Sequence, residues 1–271
     1  MTLLIIFLFV MGAVWGSFLN VVIVRSAKGK SFVKGRSQCD KCKHQLAWKD
    51  NIPLVSYVFL GGKCAYCKKK ISMMNPVMET LTGIFFVWWF LVGFGFFRLA
   101  GSPWSVVQPI FWLVVGLVFI VIFVTDLLYM IIPFWLNLFL FSFTLGYKVL
   151  LVSSGNMQIK DLFVSLFVGI VLALFLVLMN IITKAIKGLD GFGLGDIYLV
   201  PSLGLLLGWP KVMPGIFGSF IFGSIVGIVL IVSGKKKLGE YLPFGPFLIL
   251  GTVFGLLYGE AIWRFYLGFL V

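Results

Sequence analysis

Charged side chains are scarce in this sequence, and acidic ones are the scarcest. Only 11% of the 271 residues are charged and nine are acidic, whereas 61% are hydrophobic. A soluble domain carries about 25% charged residues, so the composition excludes an ordinary soluble protein and predicts that lipid is the main solvent. The N-terminus also lacks a basic region and a small-residue cleavage site, which predicts that the first apolar segment is a retained signal anchor.

Long apolar runs predict an all-α polytopic membrane protein. A run of about 20 residues is long enough to cross the hydrocarbon core as a helix. The clearest spans cover 3–24, 77–97, 104–124 and 162–182, and further candidates cover 131–152, 212–232 and 242–258. Residues 197–209 form a shorter run that Pro201, Gly204 and Gly208 interrupt. The predicted number of spans is seven to nine, and eight is preferred.

The basic residues are distributed unevenly among the loops. Residues 25–70 contain twelve of the 22 lysines and arginines. Since cytoplasmic loops are enriched in these residues, this loop is predicted to be cytoplasmic and the N-terminus outside. With eight spans, 17 basic residues lie on the cytoplasmic side and five lie outside. Topology thus accounts for the net charge of +13, so the predicted partner is the lipid bilayer and not nucleic acid.

All four cysteines fall in this large loop. They form two pairs, Cys39-x2-Cys42 and Cys64-x2-Cys67, separated by 21 residues. Four thiolates at this spacing suit tetrahedral Zn2+ and leave no position for a catalytic water, so a structural zinc site is predicted. Two disulfides or a redox pair are the alternatives, but cytoplasmic thiols are kept reduced. His44, the single histidine, is expected to be a solvated loop residue.

Two of the nine acidic residues are the main candidates for chemistry. Asp126 ends a long apolar run with no basic residue nearby in the sequence, and an ionisable group at the membrane is costly enough to indicate a function. Asp196 ends the glycine-rich stretch 188–196, where backbones can approach closely. Asp190 is a weaker third candidate. Glu79 is expected to be a helix N-terminal carboxylate or a partner for the loop lysines.

Eight alternating spans place both aspartates at the cytoplasmic face, where they can form a pair. Two carboxylates in one site cannot both ionise, so one can activate water while the other supplies a proton, as aspartyl proteolysis requires. The same pair could instead relay protons or bind a cation in a transporter, and the residues alone rank these two functions close together. A non-catalytic assembly factor is a third alternative. The lack of a convincing inverted repeat argues mildly against transport.

Several segments match a known family in the right order. They are GSFLNVVIVR (16–25), RSQCDKC (36–42), NIPLVSYVFLGGKCAYC (51–67), GLGD (193–196) and LPFGPFLILG (242–251). Asp126 also stands seven residues before Pro133, as the first catalytic aspartate of the family does before its Ile-Pro. Together these features resemble the bacterial type IV prepilin peptidases, whose members are leader peptidases and N-methyltransferases.

The resemblance implies an enzyme with Asp126 and Asp196 as its catalytic pair. It would cut the leader from prepilins or pseudopilins on the cytoplasmic side of the bacterial inner membrane and methylate the new N-terminus with S-adenosylmethionine. Three parts are expected: a first transmembrane helix at 1–24, a cytoplasmic zinc loop domain at 25–76 and a transmembrane aspartic peptidase core at 77–271. The sequence itself reveals no S-adenosylmethionine site, because the glycine-rich nucleotide fingerprint is absent.

Three positions depart from the family pattern. Phe134 follows Ile-Pro where Asn or Asp is usual, Tyr198 stands where Lys is usual, and Asn75 precedes Pro76 where Tyr is usual. Neither carboxylate is lost, so peptidase activity is expected to be retained while substrate positioning differs.

Four glycines are expected to have structural roles. Gly193 and Gly195 are predicted to let an extended substrate approach the second aspartate. Gly223 and Gly227 are predicted to pack one helix against another.

Overall fold

The structure is a computed structural model that describes residues 1–32, 35, 37–97, 106–188, 191–237 and 240–268. The chain forms two compact units, Met1–Leu117 and Val118–Val271. The described residues are helical apart from turns and two single β-bridges. The α-helices are α1 Thr2–Ala27, α2 Val55–Phe59, α3 Met74–Trp88, α4 Phe94–Phe96, α5 Val107–Tyr129, α6 Phe134–Ser153, α7 Ile159–Lys187, α8 Leu194–Leu207, α9 Val212–Val232 and α10 Gly245–Gly268.

Seven helices in the described part of the chain are long and apolar enough to cross a membrane. One of them, Met74–Phe96, joins α3 and α4 through a π-helical turn at Trp89–Gly93; the others are α1, α5, α6, α7, α9 and α10. The prediction of an all-α polytopic membrane protein is therefore confirmed. The remaining apolar helix, α8, has 14 residues. Its length of about 21 Å is shorter than a hydrocarbon core of roughly 30 Å.

The direction of α8 follows from contacts at one end of the second unit. Gly245, at the start of α10, donates its backbone N–H to Asp126, near the end of α5, over 2.9 Å. Leu194, at the start of α8, lines the same cavity as Asp126. The starts of α8 and α10 therefore lie at one end of the unit. Since α9 is a full-length helix between them in the chain, α8 must carry the chain to the opposite end, which supports eight passes.

α8 is surrounded by other helices of the second unit. It packs against α6, α7 and α10, and apolar residues around its whole circumference are buried, as expected of a helix without a solvent face. A pair of glycines brings α7 close to it: a Cβ on Gly204 would lie 2.5 Å from the Cα of Gly169. The residue at the start of this helix, Asp196, is thereby held inside the bundle.

In the first unit, α1 and α3 pack through two glycines. A Cβ on Gly12 would lie 2.6 Å from the carbonyl oxygen of Thr82, and a Cβ on Gly16 would lie 2.6 Å from that of Met78. This spacing of small residues is the usual way for helices to approach closely in a membrane, where the lipid gives no hydrophobic driving force.

The predicted role of Gly227 in helix packing is wrong, because among the described residues no atom of another helix lies within 4 Å of the position its Cβ would occupy. The close contact between α9 and α10 is instead made by Gly215 and Gly251: a Cβ on Gly251 would overlap the Gly215 carbonyl oxygen. Gly223 faces Phe247 at an ordinary contact distance of 3.4 Å. The glycine pattern therefore identified one glycine that contacts α10, Gly223, but not the pair that makes the closest approach.

Most span boundaries differ by a few residues from the prediction, and the largest difference is at the end of α10. The predicted span 242–258 is α10, which starts at Gly245 and continues to Gly268; its last turns carry Glu260, which forms ion pairs with Lys211 at 3.6 Å and with Arg264. The predicted span 104–124 is α5, which extends to Tyr129. The first two residues predicted for that span lie outside the described residues.

Candidate active site and metal centre

Asp126 is buried in the last turn of α5, with 5% of its surface exposed. The N–H of Gly245 donates to its Oδ2 over 2.9 Å. Because Gly245 begins the 24-residue helix α10, the carboxylate lies at the positive end of that helix dipole. The close approach requires glycine, since a Cβ on Gly245 would lie 2.7 Å from Asp126 Oδ2.

Asp196 is buried in the first turn of α8, with 7% of its surface exposed. Its Oδ2 accepts a hydrogen bond from the N–H of Gly193 over 3.2 Å, which satisfies one of the free amides at the helix start. Its Oδ1 is buried without a hydrogen-bond partner among the described residues. Such groups are rare in folded proteins, and this oxygen is available to bind water or a substrate.

Both aspartates line one cavity of about 630 Å³ in the second unit. They are close enough for the charge of Asp126 to act on Asp196. The structure thus brings together the two residues that the sequence selected. Asp190, the third candidate, lies outside the described residues.

Asn180 of α7 holds the glycine-rich stretch that leads to Asp196. Its Oδ1 accepts hydrogen bonds from the N–H groups of Gly191, at 2.7 Å, and Phe192, at 3.1 Å. Asn180 also lines the cavity with the two aspartates. Asn180 could not be found from the sequence, because its partners are backbone amides eleven and twelve positions away.

The two glycines of the Gly-x-Gly-Asp motif have different surroundings. Gly193 lines the cavity, as expected of a position that a substrate approaches. Gly195 does not face open space: its Cβ would lie 3.1 Å from the Cβ of Ile132, in the turn between α5 and α6. Gly195 therefore lets the turn after Asp126 pack against the helix that carries Asp196.

Phe134 and Tyr198, the residues at two of the positions set apart in the sequence, contact each other. The rings of Phe134 and Tyr198 meet edge to face with 5.6 Å between their centroids, and the Tyr198 hydroxyl donates to the Ile132 carbonyl over 3.4 Å. Behind them, Asn137 of α6 donates to the Tyr198 carbonyl at 2.6 Å and accepts from the Ser202 hydroxyl at 2.7 Å. These contacts tie the start of α6 to α8, so the aromatic pair forms part of the support for Asp196.

The four cysteines of the first unit form one cluster. Their Sγ atoms all lie within 4.8 Å of one another, and none is in a disulfide. The Sγ atoms of Cys39 and Cys67 are 3.9 Å apart. Tetrahedral coordination with metal–sulfur bonds of about 2.3 Å requires sulfur separations of roughly 3.8 Å, so the cluster can hold a metal ion.

The two cysteine pairs adopt the same turn. Lys43 and Lys68, which follow the pairs, have φ angles of 60° and 58°. Their N–H groups donate to the carbonyls of Cys39 and Cys64 at 2.9 and 3.0 Å. A hydrogen bond from the Cys42 backbone lowers the pKa of the Cys39 thiol to about 7, which favours the thiolate that binds metals.

His44 is not part of the cysteine cluster. Its ring stacks on Tyr66 with 3.7 Å between the centroids. The Tyr66 hydroxyl donates to Asp50 Oδ2 over 3.0 Å, and this bond to a carboxylate raises the pKa of Tyr66. His44 therefore stabilises the loop through an aromatic contact.

Glu79 binds the loop backbone. It is buried, with 7% of its surface exposed, and its Oε2 accepts a hydrogen bond from the backbone N–H of Leu54 over 2.8 Å. This bond fixes the loop backbone to α3, and among the described residues Glu79 forms no ion pair with a loop lysine.

A cavity of about 640 Å³ in the first unit is lined in part by Cys39 and Cys64. Its lining includes the carboxylates of Asp40 and Asp50 and the amides of Asn51 and Asn75. Small-molecule sites are typically about 300–1,000 Å³ with a few polar groups, so this cavity has the size and chemistry of one.

Two segments of the chain match models of known protein families. Residues 10–93 match the model of the bacterial peptidase A24 N-terminal domain. Residues 112–228 match the model of the type IV leader peptidase family. No solved structure matches the chain significantly.

The similar curated proteins carry the name prepilin leader peptidase/N-methyltransferase. One from Myxococcus xanthus is 32% identical over 84% of this chain and 63% of its own length. One from Aeromonas salmonicida is 30% identical over 93% and 90%, and one from Bacillus subtilis is 28% identical over 96% and 96%. These findings confirm the resemblance seen in the sequence motifs: the chain belongs to the type IV leader peptidase family.

Proposed function

We propose that this chain removes the leader peptide from prepilins or pseudopilins by an aspartyl mechanism that uses Asp126 and Asp196. The observation that carries the proposal is the pair of buried carboxylates lining one cavity, in a chain of the leader peptidase family. Family membership favours this function over ion transport with the same carboxylates.

In the proposed mechanism, the ionised aspartate takes a proton from water, and the water oxygen attacks the scissile carbonyl carbon. The other aspartate, which is protonated, donates its proton to the carbonyl oxygen. The aspartate that took the proton from water then gives it to the amine nitrogen, and the other aspartate takes a proton back from a hydroxyl of the tetrahedral intermediate as the C–N bond breaks and the amine leaves. Oδ1 of Asp196 has no hydrogen-bond partner among the described residues, so it is the proposed position at which the water binds. The Gly245 amide holds Asp126 in position.

The active site is proposed to face the cytoplasm of a bacterium, with the chain in the inner membrane and its N-terminus outside. The loop 25–70, with twelve basic residues, supports this orientation because cytoplasmic loops are enriched in Lys and Arg. In this proposal residues 25–76 form the metal-binding domain and residues 77–271 contain the peptidase.

The metal is proposed to be a structural Zn2+ bound by Cys39, Cys42, Cys64 and Cys67. Four thiolates complete a tetrahedral zinc shell and leave no site for a reactive water. The ion would stabilise a loop that has little apolar core of its own.

Methylation of the new N-terminus is proposed from the names of the relatives. When bound, S-adenosylmethionine supplies an electrophilic methyl group. The cavity lined in part by Cys39 and Cys64 fits such a molecule in volume, and the Asp40 and Asp50 carboxylates can accept hydrogen bonds from ribose hydroxyls.

The test is mass spectrometry of a prepilin incubated with the purified protein, with and without S-adenosylmethionine. Wild type is expected to release the leader, and Asp126→Asn and Asp196→Asn are each expected to lose this activity. A mass gain of one methyl group that requires S-adenosylmethionine would establish the second reaction. A folded, zinc-loaded wild type that leaves several prepilins intact would refute the peptidase proposal.

A further inference from the structure

The loop between α1 and α3 exposes several large apolar side chains. Trp48, Val58 and Phe59 are 82%, 74% and 86% exposed. They lie in segment 48–59, which consists of a short 3-10 turn at Trp48–Asn51, the helix α2 and the residues between them. The turn and α2 pack together. Exposed apolar side chains grouped in one segment mark a surface that contacts a partner or a membrane.

Two membrane helices fix the position of this loop. α1 and α3 are neighbours that run in opposite directions, since Gly16 of α1 meets Met78 while Gly12 meets Thr82. Both helices are long and apolar enough to span a membrane. The end of α1 and the start of α3 therefore lie on the same side of the membrane, and the loop is attached there at both of its ends.

Contacts with α3 hold segment 48–59 beside the start of that helix. Glu79, five residues after the first residue of α3, accepts a hydrogen bond from the N–H of Leu54 over 2.8 Å. The Tyr57 hydroxyl donates to Sδ of Met73 over 2.7 Å. Because five residues of α-helix rise about 7.5 Å, these bonds keep the loop backbone next to the first turns of a membrane span.

The same segment faces the last turns of α1. A cavity of about 490 Å³ is lined by Trp48 and Ile52 of the loop and by Phe18 and Val21 of α1. Val21 and Phe18 lie six and nine residues before the last residue of α1, which is about 9 and 14 Å along the helix axis. Trp48 and Ile52 are therefore placed at the level where α1 enters the bilayer.

The loop around the segment is strongly basic. Residues 25–70 contain twelve basic residues and two acidic ones. Lys49 lies within the segment and Lys63 follows it, and both are exposed. Basic residues next to a membrane span attract anionic headgroups. Trp and Phe together with basic residues are the composition of segments that lie in the membrane interface.

We infer that segment 48–59 lies in the headgroup layer of an anionic phospholipid bilayer, with Trp48, Val58 and Phe59 among the ends of the acyl chains. This contact holds the four-cysteine loop against the membrane surface. A second copy of the chain would also cover apolar side chains, but it would not account for the position of the segment at the helix ends or for the basic residues around it. The inference does not depend on the peptidase activity.

The first test places a photoreactive phenylalanine analogue at position 59 of the full-length protein, in nanodiscs that contain phosphatidylglycerol. A phospholipid adduct is expected by mass spectrometry. The control has the analogue at position 66, because the Tyr66 ring stacks on His44 and is expected to give crosslinks within the chain. Equal lipid yields at the two positions, or a crosslink from position 59 only to a second copy of the chain, would overturn the inference.

The second test measures hydrogen exchange in phosphatidylcholine nanodiscs with and without phosphatidylglycerol. The Val58 and Leu60 amides, which are bonded within the loop, are expected to exchange about tenfold more slowly with the anionic lipid, from the partial burial of one aromatic side chain. Phe59→Ser is expected to remove this difference. Phe163→Ser is the matched control on α7, where Phe163 is 63% exposed, and should keep it. Equal exchange of wild type in both lipids would refute the inference.

Discussion

Replacement of Gly245 by alanine should disable the peptidase while the fold survives. A Cβ at this position would lie 2.7 Å from Asp126 Oδ2, whereas ordinary contacts begin at 3.4 Å, so the carboxylate or the start of α10 must move by about 0.7 Å. The movement also weakens the hydrogen bond from the Gly245 amide. Since a misplacement of about 1 Å can cost on the order of 100-fold in rate, we expect kcat/KM to fall about 10- to 100-fold. This corresponds to about 1.4–2.7 kcal/mol of transition-state stabilisation.

The assay is the rate of leader release from a prepilin in detergent, measured beside the thermal unfolding temperature. Gly227→Ala is the control, because it places the same methyl group on a membrane helix where nothing lies within 4 Å. We expect the control to cut prepilin at the wild-type rate and Gly245→Ala to stay folded. If Gly245→Ala cuts prepilin as fast as wild type, Asp126 does not need the geometry described above and its catalytic assignment is wrong.

Three further predictions test the supports of the two sites. Asn137→Leu leaves the Ser202 hydroxyl and the Tyr198 carbonyl without their partner, so it should lower the free energy of unfolding by about 2–4 kcal/mol. Equilibrium unfolding in mixed micelles measures this change, and an unchanged free energy of unfolding would contradict the prediction. Asn180→Leu removes the acceptor for two loop amides and should lower kcat more than it changes KM, whereas Asn180→Asp keeps the acceptor and should restore most activity. Cys64→Ser should reduce bound zinc from one ion per chain to a small fraction by elemental analysis, and retention of a full ion would exclude the four-cysteine site.

Phe134 and Tyr198 form an aromatic pair in direct contact. Both residues lie close to the turn and helix that present the aspartates. A change at one position alone would leave an aromatic ring beside a polar group, so we expect the two positions to tolerate exchange together better than singly.

The sequence was sufficient for the features that depend on local composition. Long apolar runs identify membrane helices because each must satisfy its backbone hydrogen bonds internally. Asp126 could be selected because an acidic residue at the end of an apolar run is costly and therefore rare, and Asp196 because it ends a glycine-rich stretch beside an apolar segment. The cysteine cluster could be predicted because the spacing of the ligands within each pair is set by the chain itself.

Other features depend on contacts between residues distant in the chain, so the sequence carried little signal for them. Asn180 and Gly245 act through backbone amides, which every residue offers, and the glycines that pack α9 on α10 differ from the pair that the sequence pattern selected. Eight spans were preferred from the apolar runs, but the direction of the short helix α8 follows only from tertiary contacts, among them the hydrogen bond from Gly245 to Asp126.

The sequence by itself determined that the chain is a membrane protein. It also determined which carboxylates lie next to apolar segments and which thiols cluster. These features follow from the free energy of placing each side chain in lipid or in water. The tertiary structure alone decided that the two carboxylates line one cavity and that an α-helix N-terminus holds one of them. Those relations depend on helix packing, where close approach is fixed by the shapes of both partners and not by either segment alone.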